Sequence, residues 1–169
     1  MLQCNIITNS AGFAFAQYPP FILGKSHFML SIERLSAEDA DVLIDGAERE
    51  ATKIGVPMCI AVVDESGNLI AFRRMDGGKI LSVSLSQDKA FTAAISRNST
   101  QFYNQKCVPG NLAFGIHTSV GGRFSTVGGG VPVEIDGTIV GGLGLSGGLP
   151  EQDIQCADAG VAFFLNRDA

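Results

Sequence analysis

The sequence has no tryptophan, only two histidines and no long run of charge of either sign. Each absence removes a class of function. With His27 and His117 as the whole histidine complement, there is no H-x-x-x-H pair to seat a catalytic divalent metal. Lysine and arginine never run beyond the pair Arg73-Arg74, and 12 basic against 17 acidic side chains leave a net charge of -5. That balance offers no basic stripe to nucleic acid or to an anionic membrane surface. No apolar run approaches the roughly 20 residues that span a bilayer. The four cysteines, Cys4, Cys59, Cys107 and Cys156, stand 55, 48 and 49 residues apart, so neither a zinc knuckle nor a redox C-x-x-C is present. Thiols so spaced fit a reducing, cytoplasmic setting.

What is present is apolar and rich in glycine. Hydrophobic residues make up 46% of 169 positions and charged ones 17%, which is enough for one packed domain. Residues 1–28 carry Tyr18-Pro19-Pro20 and little periodicity, and read as an N-terminal arm or extension ahead of a domain over 29–169. Ser36, with Asp39 three residues later, reads as a helix N-cap close to a capping box. Ala40, Leu43, Ile44, Ala47, Ala51 and Ile54 then share one face, and Gly55 and Pro57 end the helix. Met58–Val63 and Leu69–Met75 flank a turn at 64–68 and make an antiparallel hairpin, with Arg73 and Arg74 on opposite faces. A helix over Ser84–Arg97 places Leu85, Ala90, Ala93 and Ala94 inward, and a shorter one after Ser99 carries Phe102 and Tyr103.

Residues 110–148 hold 13 of the 21 glycines. Asp136-Gly137 between 133–135 and 138–145 is the strongest hairpin signal, since this dipeptide favours the type I′ turn. An amphipathic helix over Pro150–Leu165 closes the chain. The order α-β-β-α-α-β-β-α gives an α/β (α+β) domain, a mainly antiparallel sheet flanked by helices in a profilin-like sandwich.

Three short strings suggest chemistry and fail on context. Gly142-x-Gly144-x-x-Gly147 fits a dinucleotide fingerprint, but no strand follows the last helix to complete a βαβ unit; close helix–strand packing explains these glycines better. Gly24-Lys25-Ser26 lacks the upstream glycine of a phosphate loop, because position 19 is proline. Gly144-Leu145-Ser146-Gly147-Gly148 spells a nucleophile elbow, yet no histidine follows it. Gly128-Gly129-Gly130 is either an anion-binding nest of backbone N–H groups or a plain strand connection.

Six ordered blocks carry a resemblance. They are Gly55-Val56-Pro57 through Val62-Val63-Asp64, then Gly67-Asn68-Leu69 with Arg74-Met75-Asp76-Gly77, then Asp88-Lys89-Ala90 with Thr92-Ala93-Ala94. Gly129-Gly130-Val131-Pro132, Gly141-Gly142 with Ser146-Gly147, and Glu151-Gln152-Asp153 with Cys156-Ala157 and Ala159-Gly160 complete the set. Over about residues 32–167 the sequence resembles the GlcG/HbpS-like family. The resemblance implies dimers or higher oligomers, as does a mean hydropathy of +0.24 in so short a chain. It also implies non-covalent haem or another small ligand, since members include a haem-binding sensor partner, haem-binding domains fused to cobalamin adenosyltransferases, and proteins of glycolate and diol operons. Some of those relatives use a histidine on the first helix, and Asp41–Lys53 contains none. Another axial ligand is then required: His117, Met75, Tyr103 or a thiol. The expected cofactor-binding set is Arg74, Asp76, Lys89, Gly129, Gly130 and His117. The alternative is an enzyme acting on a hydroxy- or keto-compound, with Arg73 or Arg74 clamping a carboxylate and Lys89 or Asp76 handling protons.

Overall fold

Helix α1 spans Ala37–Lys53, β1 Cys59–Asp64, β2 Leu69–Arg74, α2 Ile80–Ser96, α3 Thr100–Lys106, β3 Gly130–Ile135, β4 Thr138–Ser146 and α4 Pro150–Leu165, with single 3-10 turns at Ile116–Thr118 and Val120–Gly122. These elements come from a computed structural model that describes residues 31–167; the arm expected over 1–28, with Cys4 and His27, lies outside them. The element order is the expected one. The strands form one antiparallel sheet in the order β2-β1-β4-β3, with Cys59 opposite Ser146 and Val131 opposite Leu143.

Local chemistry sets the boundaries. The Ser36 hydroxyl accepts the Asp39 N–H at 3.1 Å, and the Asp39 carboxylate accepts the Ser36 N–H at 2.9 Å, a complete capping box. At the far end the Val56 N–H bonds the Ala51 carbonyl, which closes the last turn beside Gly55. Asp136 and Gly137 both take positive φ, 49° and 80°, as the two-residue turn between β3 and β4 demands. Pro150 opens α4 at the position where a missing N–H costs nothing.

Two expectations shift. Helix α2 begins at Ile80, four residues ahead of Ser84; no side chain caps it, and Ile80 and Leu81 on its first turn are 82% and 73% exposed. Strand β3 begins at Gly130 rather than Val133. It is an edge strand, where Pro132 forfeits no ladder bond that the sheet interior needs.

The sheet is covered on both faces, unequally. Leu43, Ile44 and Ala47 of α1, Ile60 and Val62 of β1, Leu143 and Leu145 of β4, and Cys156, Ala157 and Phe164 of α4 form one continuous buried core. Each fully buried Leu or Ile there is worth about 1.5–3 kcal/mol. On the other face α2 lies close against β4. A Cβ at Gly142 would sit 2.5 Å from the Ala90 carbonyl, and one at Gly144 would strike the Ser86 carbonyl and the Ala90 N–H. Gly147 is pressed likewise on Pro57 and Met58. The fingerprint-like glycines are therefore packing glycines. Arg73 and Arg74 do split between the faces: Arg73 pairs with Asp45 and Glu48 of α1 at 2.7 and 2.6 Å, and Arg74 turns the other way.

Candidate functional site

Helix α2 turns Ser82, Ser86, Lys89, Ala90 and Ala93 toward the sheet, at the spacing that lines one helical face. Lys89 is the exception among them in charge and length, and it is 0% exposed. Its ammonium donates to the Asp153 carboxylate at 2.6 Å and to the Leu145 carbonyl at 2.8 Å. The other Asp153 oxygen accepts the Gly148 N–H at 3.0 Å. Burial pushes the Lys89 ammonium below the ordinary lysine range, against the opposing hydrogen bond and charge of Asp153. A solvated helix lysine would show none of this.

The pair borders a cleft of about 140 Å³ between the N-terminal ends of α2 and α4. Buried Lys89, Asp153, Ser82 and Ser146 line its inner part, and the exposed Lys79, Leu81 and Val127 its mouth. The Ser146 hydroxyl donates to that of Ser82 at 3.0 Å. Gly129 takes φ 112°, and a Cβ on it would sit 2.6 Å from Asp153 Cβ and 3.1 Å from Lys89 Nζ, so only glycine fits beside the pair. Gly130 is packed on the Lys89 backbone and on Thr100. Its N–H is committed to the Thr100 hydroxyl at 3.0 Å rather than turned to a ligand.

The expected site residues thus fall in three places. Lys89, Gly129 and Gly130 come together. Arg74 does not join them: its guanidinium donates to the Gly78 carbonyl at 3.0 and 2.8 Å and holds the loop that leads into Lys79 and α2. Asp76, on the same loop, is exposed and has no ion-pair partner among the described residues. His117 lies on the 3-10 turn after α3, where its Nδ1 stands 3.2 Å from Cys107 Sγ. The imidazole holds the Cys107 thiol below its ordinary range, while burial pushes Cys59 up and Cys156 to about 11.

A second, more open hollow of about 390 Å³ is lined by Phe102, Tyr103, Lys106, Asn111, Leu112 and Ala113; Cys107 follows Lys106 in the chain and His117 comes after Ala113, and neither is part of its wall. Tyr103 stacks edge-on against both Phe102 and Phe124, with centroids 5.2 and 4.8 Å apart. Lys106, the residue before Cys107, lies 5.6 Å over the Phe102 ring. Of the other axial-ligand candidates, Met75 spends its sulfur on the Met58 N–H at 3.3 Å, beside β1. No group of three or more His, Cys, Asp or Glu residues that could hold a metal ion occurs among the described residues.

An antiparallel sheet between α1/α4 and α2, with a buried lysine at one end of β4, defines the class. The chain belongs to the HbpS-like family, whose description is "Haem degrading protein HbpS-like" and whose pattern matches residues 35–162. It is 32% identical over 79% of its length to an uncharacterized 15.0 kDa protein of Citrobacter freundii, covering 94% of that protein. It is 33% identical over 76% of its length to the corrinoid adenosyltransferase PduO of Salmonella typhimurium, of which it spans 38%. Against protein GlcG of Escherichia coli the identity is 38% over 66% of this chain and 81% of that one. Among solved structures, Klebsiella pneumoniae ORFY superposes with a TM-score of 0.80 at 28% identity, over 82% of this chain and 96% of its own. A PduOC:haem complex superposes at 0.74 with 32% identity, over 77% and 94%. No helix among the described residues is long and apolar enough to cross a membrane.

Proposed function

We propose that this chain is a homo-oligomeric protein that binds haem non-covalently in the hollow formed by α3 and the segment after it. The hollow at α3, with Tyr103 in its wall, carries this reading. The cleft at Lys89 has about 140 Å³, below the range of sites that enclose a cofactor, and no His, Cys, Met or Tyr lines it. The hollow at α3 has the larger volume, aromatic walls at Phe102 and Tyr103, and a cation at Lys106 suited to a propionate. His117 presents an imidazole whose Nε2 has no partner among the described residues, and Cys107 a thiol that the hydrogen bond to His117 holds below its ordinary range. Bound haem would supply iron, and the side chains that would hold it are Tyr103 in the wall or His117 and Cys107 in the segment after α3. The family's description and the haem bound to PduOC support the choice of ligand. The resemblance to a family with members in glycolate and diol operons supports a role beside that metabolism. Apolar side chains left outside the core, among them Leu112, Phe114 and Val120, support self-association.

Titrating haem into the purified protein should give a Soret band that saturates at one haem per chain. Tyr103→Phe, His117→Ala or Cys107→Ser should move or abolish the band, and Lys89→Met should leave it in place. A wild-type protein without a saturable Soret band, or one whose band the first three variants all leave unmoved, refutes this site.

A further inference from the structure

We propose that the cleft between the first turns of α2 and α4 is a second, independent site, for a short monocarboxylate bearing a carbonyl oxygen at C2. The carboxylate faces Lys79 at the mouth, and the carbonyl oxygen meets Lys89 and the serine pair within.

Charge selects the monoanion. The cleft is lined by two cations, Lys79 and Lys89, and one carboxylate, Asp153, so one positive charge is left over. Buried hydrogen-bond donors select the carbonyl. An ammonium has three N–H groups, and Lys89 has acceptors for two of them, on Asp153 and Leu145. Ser82 and Ser146 bond to each other, which uses one O–H and leaves the second without an acceptor, whichever serine donates. One Lys89 N–H and one serine O–H therefore have no acceptor among the described residues, and each Asp153 oxygen already accepts one hydrogen bond. An oxygen that only accepts can answer such donors without adding another; a hydroxyl in its place brings a further donor. Size limits the chain. At ~30 Å³ per water, the volume equals about four or five waters, room for a ligand of three or four carbons. Leu81 and Val127 at the mouth suit a short alkyl end.

Thermal shift and calorimetry with pyruvate, lactate and glycerol as probes decide the matter. Pyruvate at roughly 10 mM should raise the Tm saturably, with lactate at least about fivefold weaker and glycerol without effect. Lys79 is exposed, so Lys79→Gln should keep the Tm of the unliganded protein and weaken pyruvate about tenfold. Ser82→Ala should reduce the preference for pyruvate over lactate. Haem titration should be indifferent to both changes, which separates this site from the one at α3. No stabilisation by pyruvate, equal affinity for lactate, or full affinity in Lys79→Gln would each overturn the proposal.

Discussion

The two faces of the sheet are built on opposite principles. Under α1 and α4, bulky side chains interdigitate; Leu43, Ile60, Leu143, Leu145 and Phe164 do the filling. Under α2 the bulk is gone: β4 presents Gly142 and Gly144, the helix answers with Ala90 and Ala94, and backbone nearly touches backbone. The first face gains stability from apolar area and tolerates little loss of volume. The second gives up apolar area for proximity, and proximity lets a lysine amine reach the end of β4 and the start of α4. Polar residues with chemistry to offer lie on the thin face, where Ser82, Ser86, Lys89 and Thr92 are all buried.

That contrast can be broken by substitution. Lys89→Met leaves Asp153 buried without its partner and should cost about 3–5 kcal/mol in urea unfolding. Adding Asp153→Leu should recover most of the loss; a double variant no better than the single would mean the pair does not carry that face. Next in size is Gly144→Ala, whose added methyl meets the α2 backbone. A cost of about 1–3 kcal/mol is expected. A neutral outcome would show that α2 rides higher on the sheet than described. The smallest effect lies off both faces. Arg34 bonds Glu65 at 2.7 and 2.6 Å and holds its carboxyl at about 2, against an ordinary 4.5. Because the folded value is the lower one, this stabilisation is complete above pH 4.5 and is lost as pH falls from there toward 2. Arg34→Ala should flatten the acid limb of stability against pH only slightly, since the arginine side chain is 52% exposed.

Local signals carried most of the fold. Ser36 and Asp39 capped α1, Asp136-Gly137 fixed the second hairpin, and Pro150 marked the start of α4. The start of α2 was illegible because it has no capping side chain. The start of β3 was hidden because Gly130 and Pro132 are poor strand formers that only an edge position tolerates. The site was legible in pieces. Lys89 drew notice through the family resemblance, but its partner Asp153 is 64 residues away, and no periodicity links them. Ser82 was missed, and Ser146 was weighed only as a nucleophile and as part of the resemblance. Part of the signal was there: Ser86 and Lys89 sit on the sheet-facing side of a helix whose apolar residues alone had been counted as inward, while Ser82 fell ahead of the expected start at Ser84. His117 was grouped with Lys89 from scarcity, as one of two histidines, and its neighbour is instead Cys107.

Because α2 and α4 cover opposite faces, the bond from Lys89 to Asp153 is a strut passing round the end of the sheet. It joins two layers that β4 otherwise keeps apart. Neither helix can lift from the sheet without stretching a buried charged contact. Opening of one outer layer should therefore carry the other with it, and the amides in the first turn of α4 should exchange in step with those of α2. A ligand that takes hold of Lys89 would then be felt across the thickness of the molecule, on the face that holds its weight.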